Sequence, residues 1–268
     1  MDWGLENRLS RILMPGTGRT VMLAIDHGYF LGPTSGLEEP GRTIAPLLPH
    51  ADSLMLTRGV LRRCVPPDSD VPIVLRVSGG TSILRELSHE SITVAFEDAL
   101  RLNATAVTLS VFVGAEGERT SLTHLAQLVD QGERYGVPVL AVTAVGKDMA
   151  RDARYLGLAS RIAAELGAHM VKTYYCEGFE QVVRDTPVPI VIAGGKKVAE
   201  REAIELAHGA IQAGAAGVDM GRNIFQSDCP VGMIRAVRAV VHGGASVGEA
   251  FELYQEEKAG AGRGLLPQ

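Results

Sequence analysis

The sequence predicts a closed parallel (β/α)8 barrel, a TIM barrel, with one extra helix ahead of it. Three observations carry that expectation: short β-rich runs recur eight times, segments of helical pattern fall between them, and 268 residues match a barrel of eight such units. A doubly wound open sheet usually has fewer strands and a Gly-rich first turn, and "AIDHGYF" is not such a turn.

Taken in order, "GLENRLSRI" reads as an amphipathic helix before the barrel. The strand candidates are "TVMLAID", "SLMLTR", "PIVLRVS", "ATAVTLSVFV", "PVLAVTAV", "HMVKTYY", "PIVIAGG" and "AAGVDMGR". Among the intervening segments, "EDALRLNA", "LTHLAQLVDQGERYG", "LASRIAAELG" and "REAIELAHGAIQAG" repeat apolar residues at three and four, and several end in Gly as helix C-termini do. No low-complexity linker or shift in composition divides the chain. Residues 1–258 are therefore read as one barrel domain and 259–268 as a flexible C-terminal tail.

Composition limits the function classes. The chain is 46% apolar with a net charge of -5, and no basic stripe suited to nucleic acid or an acidic membrane surface is visible. Small molecules are the expected partners. Cys64, Cys176 and Cys229 are odd in number and lack metal-ligand spacing, so neither a disulfide framework nor a bound metal is expected. With no apolar run long enough to span a bilayer and no signal-like start, the expected location is the cytoplasm.

Barrel enzymes carry their chemistry at the C-terminal ends of the strands. Those ends hold Asp26-His27-Gly28, Arg58, Ser78-Gly79-Gly80, Gly146-Lys147-Asp148, Lys172 with Tyr174, Gly194-Gly195-Lys196 and Gly221-Arg222. Lys172 stands out because it interrupts a strand that otherwise reads as buried. Alternation puts it on one face with Met170 and Tyr174. If that face is the interior, desolvation favours the neutral amine, the form that attacks carbonyls to make a Schiff base. The alternative is a structural lysine paired with a carboxylate such as Asp26.

Two glycine-bearing ends, "IAGGKK" and "VDMGRNIF", fall on the seventh and eighth strands, where this architecture commonly cradles phosphate. Gly194, Gly195 and Gly221 would let the backbone approach, with Arg222 adding a charge-assisted contact. Asp26, His27, Tyr174 and Lys147 are acid–base candidates beside the lysine. Cys176 lacks a visible histidine partner and is read as an inert thiol.

"LAIDHGYFLGPTSGLE", "LTRGVLRRCVPP", "AVTAVGKDM", "VKTYYCEGFE", "VPIVIAGGKK" and "GVDMGRNIFQSDCPVGM" together resemble the LsrF-type thiolase branch of the archaeal-type class I fructose-bisphosphate aldolase family. The similarity runs from about Met1 to Lys258. The resemblance implies a (β/α)8 enzyme whose Schiff-base lysine is Lys172. It also implies thiolytic cleavage of 3-hydroxy-5-phosphonooxypentane-2,4-dione, with coenzyme A as co-substrate, no tightly bound cofactor, no metal, and assembly as a homodecamer. Ala144 stands where the aldolases carry a proton-transferring tyrosine, a departure that separates this chain from ordinary aldol cleavage. The alternatives are a class I aldolase or transaldolase acting on a phosphorylated ketose such as fructose 1,6-bisphosphate, and a non-catalytic phosphosugar sensor.

Overall fold

A computed structural model describes residues 2–144 and 150–263, with side chains described through residue 261. Eight parallel strands close into a barrel: β1 Thr20–Ala24, β2 Ser53–Thr57, β3 Ile73–Arg76, β4 Ala106–Val111, β5 Val139–Thr143, β6 Met170–Tyr174, β7 Ile190–Ala193 and β8 Gly217–Met220. Each lies inside one of the eight runs read from the sequence. Round the barrel they follow the order β1–β8–β7–β6–β5–β4–β3–β2, so β3 and β4 face β7 and β8 across the interior.

Helices cover a parallel barrel outside and side chains fill it inside, so its strands are apolar on both faces. All five residues of β1 are buried accordingly. Val21, Leu23 and Val171 point outward into the layer shared with the helices, while Met22, Ala24, Met55, Val74, Leu140 and Met170 point inward. This alternation settles the face of Lys172: like Met170, it belongs to the interior.

The extra helix, Trp3–Ile12, starts where the Asp2 carboxylate accepts the Leu5 amide hydrogen at 2.9 Å, an N-cap that satisfies an otherwise orphaned donor. Leu9, Ile12 and Leu13 pack against the inward-facing cluster and plug the N-terminal mouth of the barrel. Burying Ile12 completely contributes about 2 kcal/mol by the usual area scale. Chemistry is thereby left to the opposite mouth.

A second device closes the same end. Asp52, just ahead of β2, accepts hydrogen bonds from the Val21 amide at 2.7 Å and Arg238 Nη1 at 2.5 Å, and lies 2.7 Å from His242 Nε2. It ties β1 to the helix Pro230–Gly243. Burial pushes its carboxyl up, but the hydrogen bonds from His242, Arg238 and the Val21 amide outweigh that and hold it below the usual carboxylate range. Because the folded value is depressed, this stabilisation is complete above the unfolded value of about 3.9 and is lost as pH falls through the folded one. Asp52→Ala should cost about 1–3 kcal/mol in urea unfolding at neutral pH, since it takes the acceptor from the buried Val21 amide and from the partly exposed Arg238 guanidinium. The gap from the wild type should narrow only in acid.

Two features were not legible in the strand pattern. Between β3 and β4, Ser78–Gly79 pairs antiparallel with Ser91–Ile92, a ribbon too short to leave a periodic signal. The last helix, Val247–Arg263, continues past Lys258 into the stretch expected to form a tail. Among the described residues no helix is long and apolar enough to cross a membrane.

Candidate active site

Above the apolar plug the interior turns polar. Lys172 Nζ lies 2.8 Å from Asp219 Oδ2, and both side chains are almost wholly buried. The two form a close buried ion pair, and no described residue other than Lys172 pairs with either oxygen of Asp219. Burial pushes the Asp219 carboxyl up, against the opposing pull of Lys172. A carboxyl so poorly solvated, 2.8 Å from the amine, is placed to exchange a proton with it.

The carboxylate facing the lysine is thus Asp219, whereas the sequence reading had offered Asp26. Asp26 instead holds Arg76, whose Nε and Nη2 both lie 3.0 Å from its Oδ2. Burial raises the Asp26 carboxyl, but Arg76, then His27 and Lys172, pull it down further and keep it ionised. Arg76 comes from the end of β3, with the same inward parity as Val74.

A chain of polar contacts continues from Arg76 along the β3–β4 wall. Its Nη1 donates to Ser110 Oγ at 2.9 Å, and the Ser110 amide donates to Ser78 Oγ at 3.1 Å. Ser78 and Tyr29 both donate to the Glu90 carboxylate, each at 2.6 Å. Glu90 is carried there by the short ribbon. Burial, then the Glu90 and Asp26 charges, push the Tyr29 phenol up despite Arg76, so it stays a proton donor.

His27 completes the β1 side. Its Nδ1 is buried, has no hydrogen-bond partner among the described residues and sits 3.8 Å from Asp26 Oδ1. Burial lowers its basicity to a pKa of about 4; Lys172, Arg222 and Arg76 add to this and Asp26 opposes it. At neutral pH the imidazole is uncharged, a weaker base than an ordinary histidine and a stronger acid once it holds a proton. Gly221 makes the approach possible, since a Cβ there would fall 2.4 Å from His27 Cε1 and 2.5 Å from the Ala24 carbonyl oxygen.

On the wall facing β3 and β4, the exits of β7 and β8 are laced together by Asn223, which is fully buried. Its Nδ2 donates to the Gly194 and Lys196 carbonyls at 2.6 and 3.2 Å, and its Oδ1 accepts the Val198 amide hydrogen at 3.0 Å. Within that loop Gly195 adopts φ +70°, a left-handed conformation that favours glycine. Arg222 stands next to Asn223 with its Nε buried and without a hydrogen-bond partner among the described residues. An open glycine loop and an unspent guanidinium suit an anion.

Tyr174 stands half-buried with the Arg151 guanidinium 3.9 Å over its ring. Cys176 is unactivated: burial, then Asp152 and Glu180, raise its thiol. Lys147 lies outside the described residues. Among those described, no three His, Cys, Asp or Glu side chains group as a metal site.

Sequence reading missed Asp219, Arg76, Asn223 and Glu90. For the first two the signal was present, because each is a charge inside an apolar strand, the same anomaly that exposed Lys172. Asn223 and Glu90 lie outside the barrel strands, where parity says nothing about direction.

A model of the DeoC/LacD family aldolases matches residues 20–227. A Photorhabdus laumondii protein named 3-hydroxy-5-phosphonooxypentane-2,4-dione thiolase is 60% identical over 259 residues, covering 96% of this chain and 89% of that protein. The protein of the same name from Escherichia coli K12 is 59% identical over the same shares of the two chains. Among solved structures, an archaeal fructose-1,6-bisphosphate aldolase, with its catalytic lysine covalently bound to the carbinolamine intermediate of the substrate, superposes with a TM-score of 0.80. It is 25% identical and aligns over 88% of this chain and 99% of that one. With its closed barrel and inward lysine, the chain belongs to the DeoC/LacD aldolase family, in the branch that includes the dione-phosphate thiolases.

Proposed function

We propose that this enzyme cleaves 3-hydroxy-5-phosphonooxypentane-2,4-dione with coenzyme A, giving acetyl-CoA and dihydroxyacetone phosphate through a Schiff base on Lys172. The observation that carries the chemistry is the buried Lys172–Asp219 pair. Asp219 takes the ammonium proton, the neutral amine adds to C4, and the protonated carboxyl returns a proton as the carbinolamine loses water. The iminium is an electron sink. When the C2–C3 bond breaks, its electrons flow into the iminium and leave an enamine of the triose phosphate, the species a class I aldolase also makes.

Gly194, Gly195, Gly221 and Arg222 hold the substrate phosphate at the β7 and β8 exits. His27, uncharged and unpartnered, accepts the thiol proton, and Asp26 keeps Arg76 and His27 in place. Tyr174 borders the reacting carbons at the end of β6.

The assay that tests this reading follows acetyl-CoA formation from the dione phosphate, with fructose 1,6-bisphosphate without coenzyme A as its control. Cleavage of the bisphosphate alone would favour the aldolase reading. Arg222→Ala should raise KM for the phosphorylated substrate by about 10- to 100-fold, the worth of a charge-assisted hydrogen bond, and barely affect a dephosphorylated analogue. Equal weakening of both would put the phosphate elsewhere.

A further inference from the structure

Across the barrel from the β7–β8 loops lies the polar wall of Arg76, Ser78, Ser110 and Glu90, to which thiolase chemistry has so far given no task. Its position is informative. With the phosphate at β7 and β8 and C4 tethered to β6, C2 must extend away from the phosphate, towards β3 and β4. We propose, resting on the thiolase reading above, that Ser110 donates the hydrogen bond that stabilises the oxyanion formed at C2 when the coenzyme A thiolate adds.

Ser110 suits that task for three reasons. Inward parity on β4, shared with Ala106 in the inner cluster, points it into the barrel interior. Its oxygen accepts from the Arg76 guanidinium, and among the described residues nothing accepts its own proton. A hydroxyl that accepts from a cation is polarised into a stronger donor, and at a buried site such a donor acts on developing charge with little reorganisation. Arg76, Ser78, Glu90 and Tyr29 are positioning residues. The Glu90 carboxylate engages Ser78 and Tyr29, Ser78 Oγ meets the Ser110 amide, and Asp26 fixes the guanidinium.

The thiol gives its proton to His27, and sulfur bonds to C2 while the carbonyl π pair moves to oxygen, where Ser110 meets it. As the carbonyl re-forms, the C2–C3 pair enters the C4 iminium and acetyl-CoA departs. The proton held by His27 then goes to C3 of the enamine. Water hydrolyses the resulting iminium to dihydroxyacetone phosphate and restores Lys172.

This role separates two measurable half-reactions. Exchange of the C–H proton of dihydroxyacetone phosphate with deuterium needs Lys172 and the phosphate site but forms no oxyanion at C2, whereas thiolysis does. Ser110→Ala should lower kcat for coenzyme A thiolysis by about 100-fold, the usual loss on removing one oxyanion donor. Triose exchange and borohydride trapping should change by less than about threefold. Ser110→Thr, which keeps a hydroxyl, should recover most of the thiolysis. Unchanged thiolysis in Ser110→Ala, or equal loss of exchange and thiolysis, overturns the assignment, the second because it marks general damage to the Arg76 network. Wild-type enzyme that exchanges the triose proton yet never cleaves the dione phosphate with coenzyme A overturns the thiolase reading and this inference together. That result appears before any variant is made.

Discussion

Lys172→Arg is expected to abolish turnover, with kcat falling by about 10⁴-fold or more, the scale seen when a covalent nucleophile is lost. Arginine is the informative replacement because it keeps a positive charge opposite Asp219 and the interior position above the apolar plug. A guanidinium stays protonated and cannot form the imine. The ion pair therefore survives while the chemistry does not, and the variant should melt close to the wild type. Two readouts are needed: acetyl-CoA formation, and mass addition on borohydride reduction in the presence of dihydroxyacetone phosphate. Both should vanish. A variant that turns over near normally, or is still trapped at one site, would move the Schiff base to another amine and remove the reason for reading the Lys172–Asp219 pair as catalytic.

How the sequence exposed Lys172, yet hid most of its surroundings, follows from what periodicity encodes. In a barrel strand, direction is set by parity, so one charged residue in an apolar run is visible with its face and its neighbours Met170 and Tyr174. The same rule applied to "GVDMGR" and "PIVLRVS" would have turned Asp219 and Arg76 inward. It does not say which inward groups meet. Lys172 pairs with Asp219, from β8, two strands away round the barrel, while Asp26 is taken by Arg76, from β3. Barrel closure and strand stagger decide those partners, and neither is written in one strand's pattern. Glu90 and Asn223 were less legible still, because a ribbon of two-residue strands and a four-residue helix present no repeat to read. Glycine-bearing ends fared differently: "IAGGKK" and "GRNIF" were legible as a pair of loops at neighbouring strands, but the buried amide that laces them together was not.

Asp219→Asn is expected to lower kcat by about 10²–10⁴-fold while leaving a lysine that can still be trapped, only slowly. The amide matches the carboxylate in size, so the interior packing around β8 is retained. What it loses is the capacity to take the ammonium proton before C4 is attacked and to return one when the carbinolamine expels water. Those transfers fall to solvent, and the Lys172–Asp219 pair is among the least solvated parts of the molecule. The proper measurement is the rate at which the borohydride-stable adduct accumulates in a single turnover, because a final yield would conceal the difference. In the wild type the adduct should saturate quickly. In the variant it should approach the same plateau with a rate reduced in step with kcat. A plateau reached at the wild-type rate would mean that Asp219 neutralises buried charge without moving protons, and imine formation would then need another carrier, with the uncharged His27 the first to test. A plateau that falls to zero would instead mean that the amide has displaced Lys172, which the melting temperature and the triose-exchange rate of the same preparation would reveal.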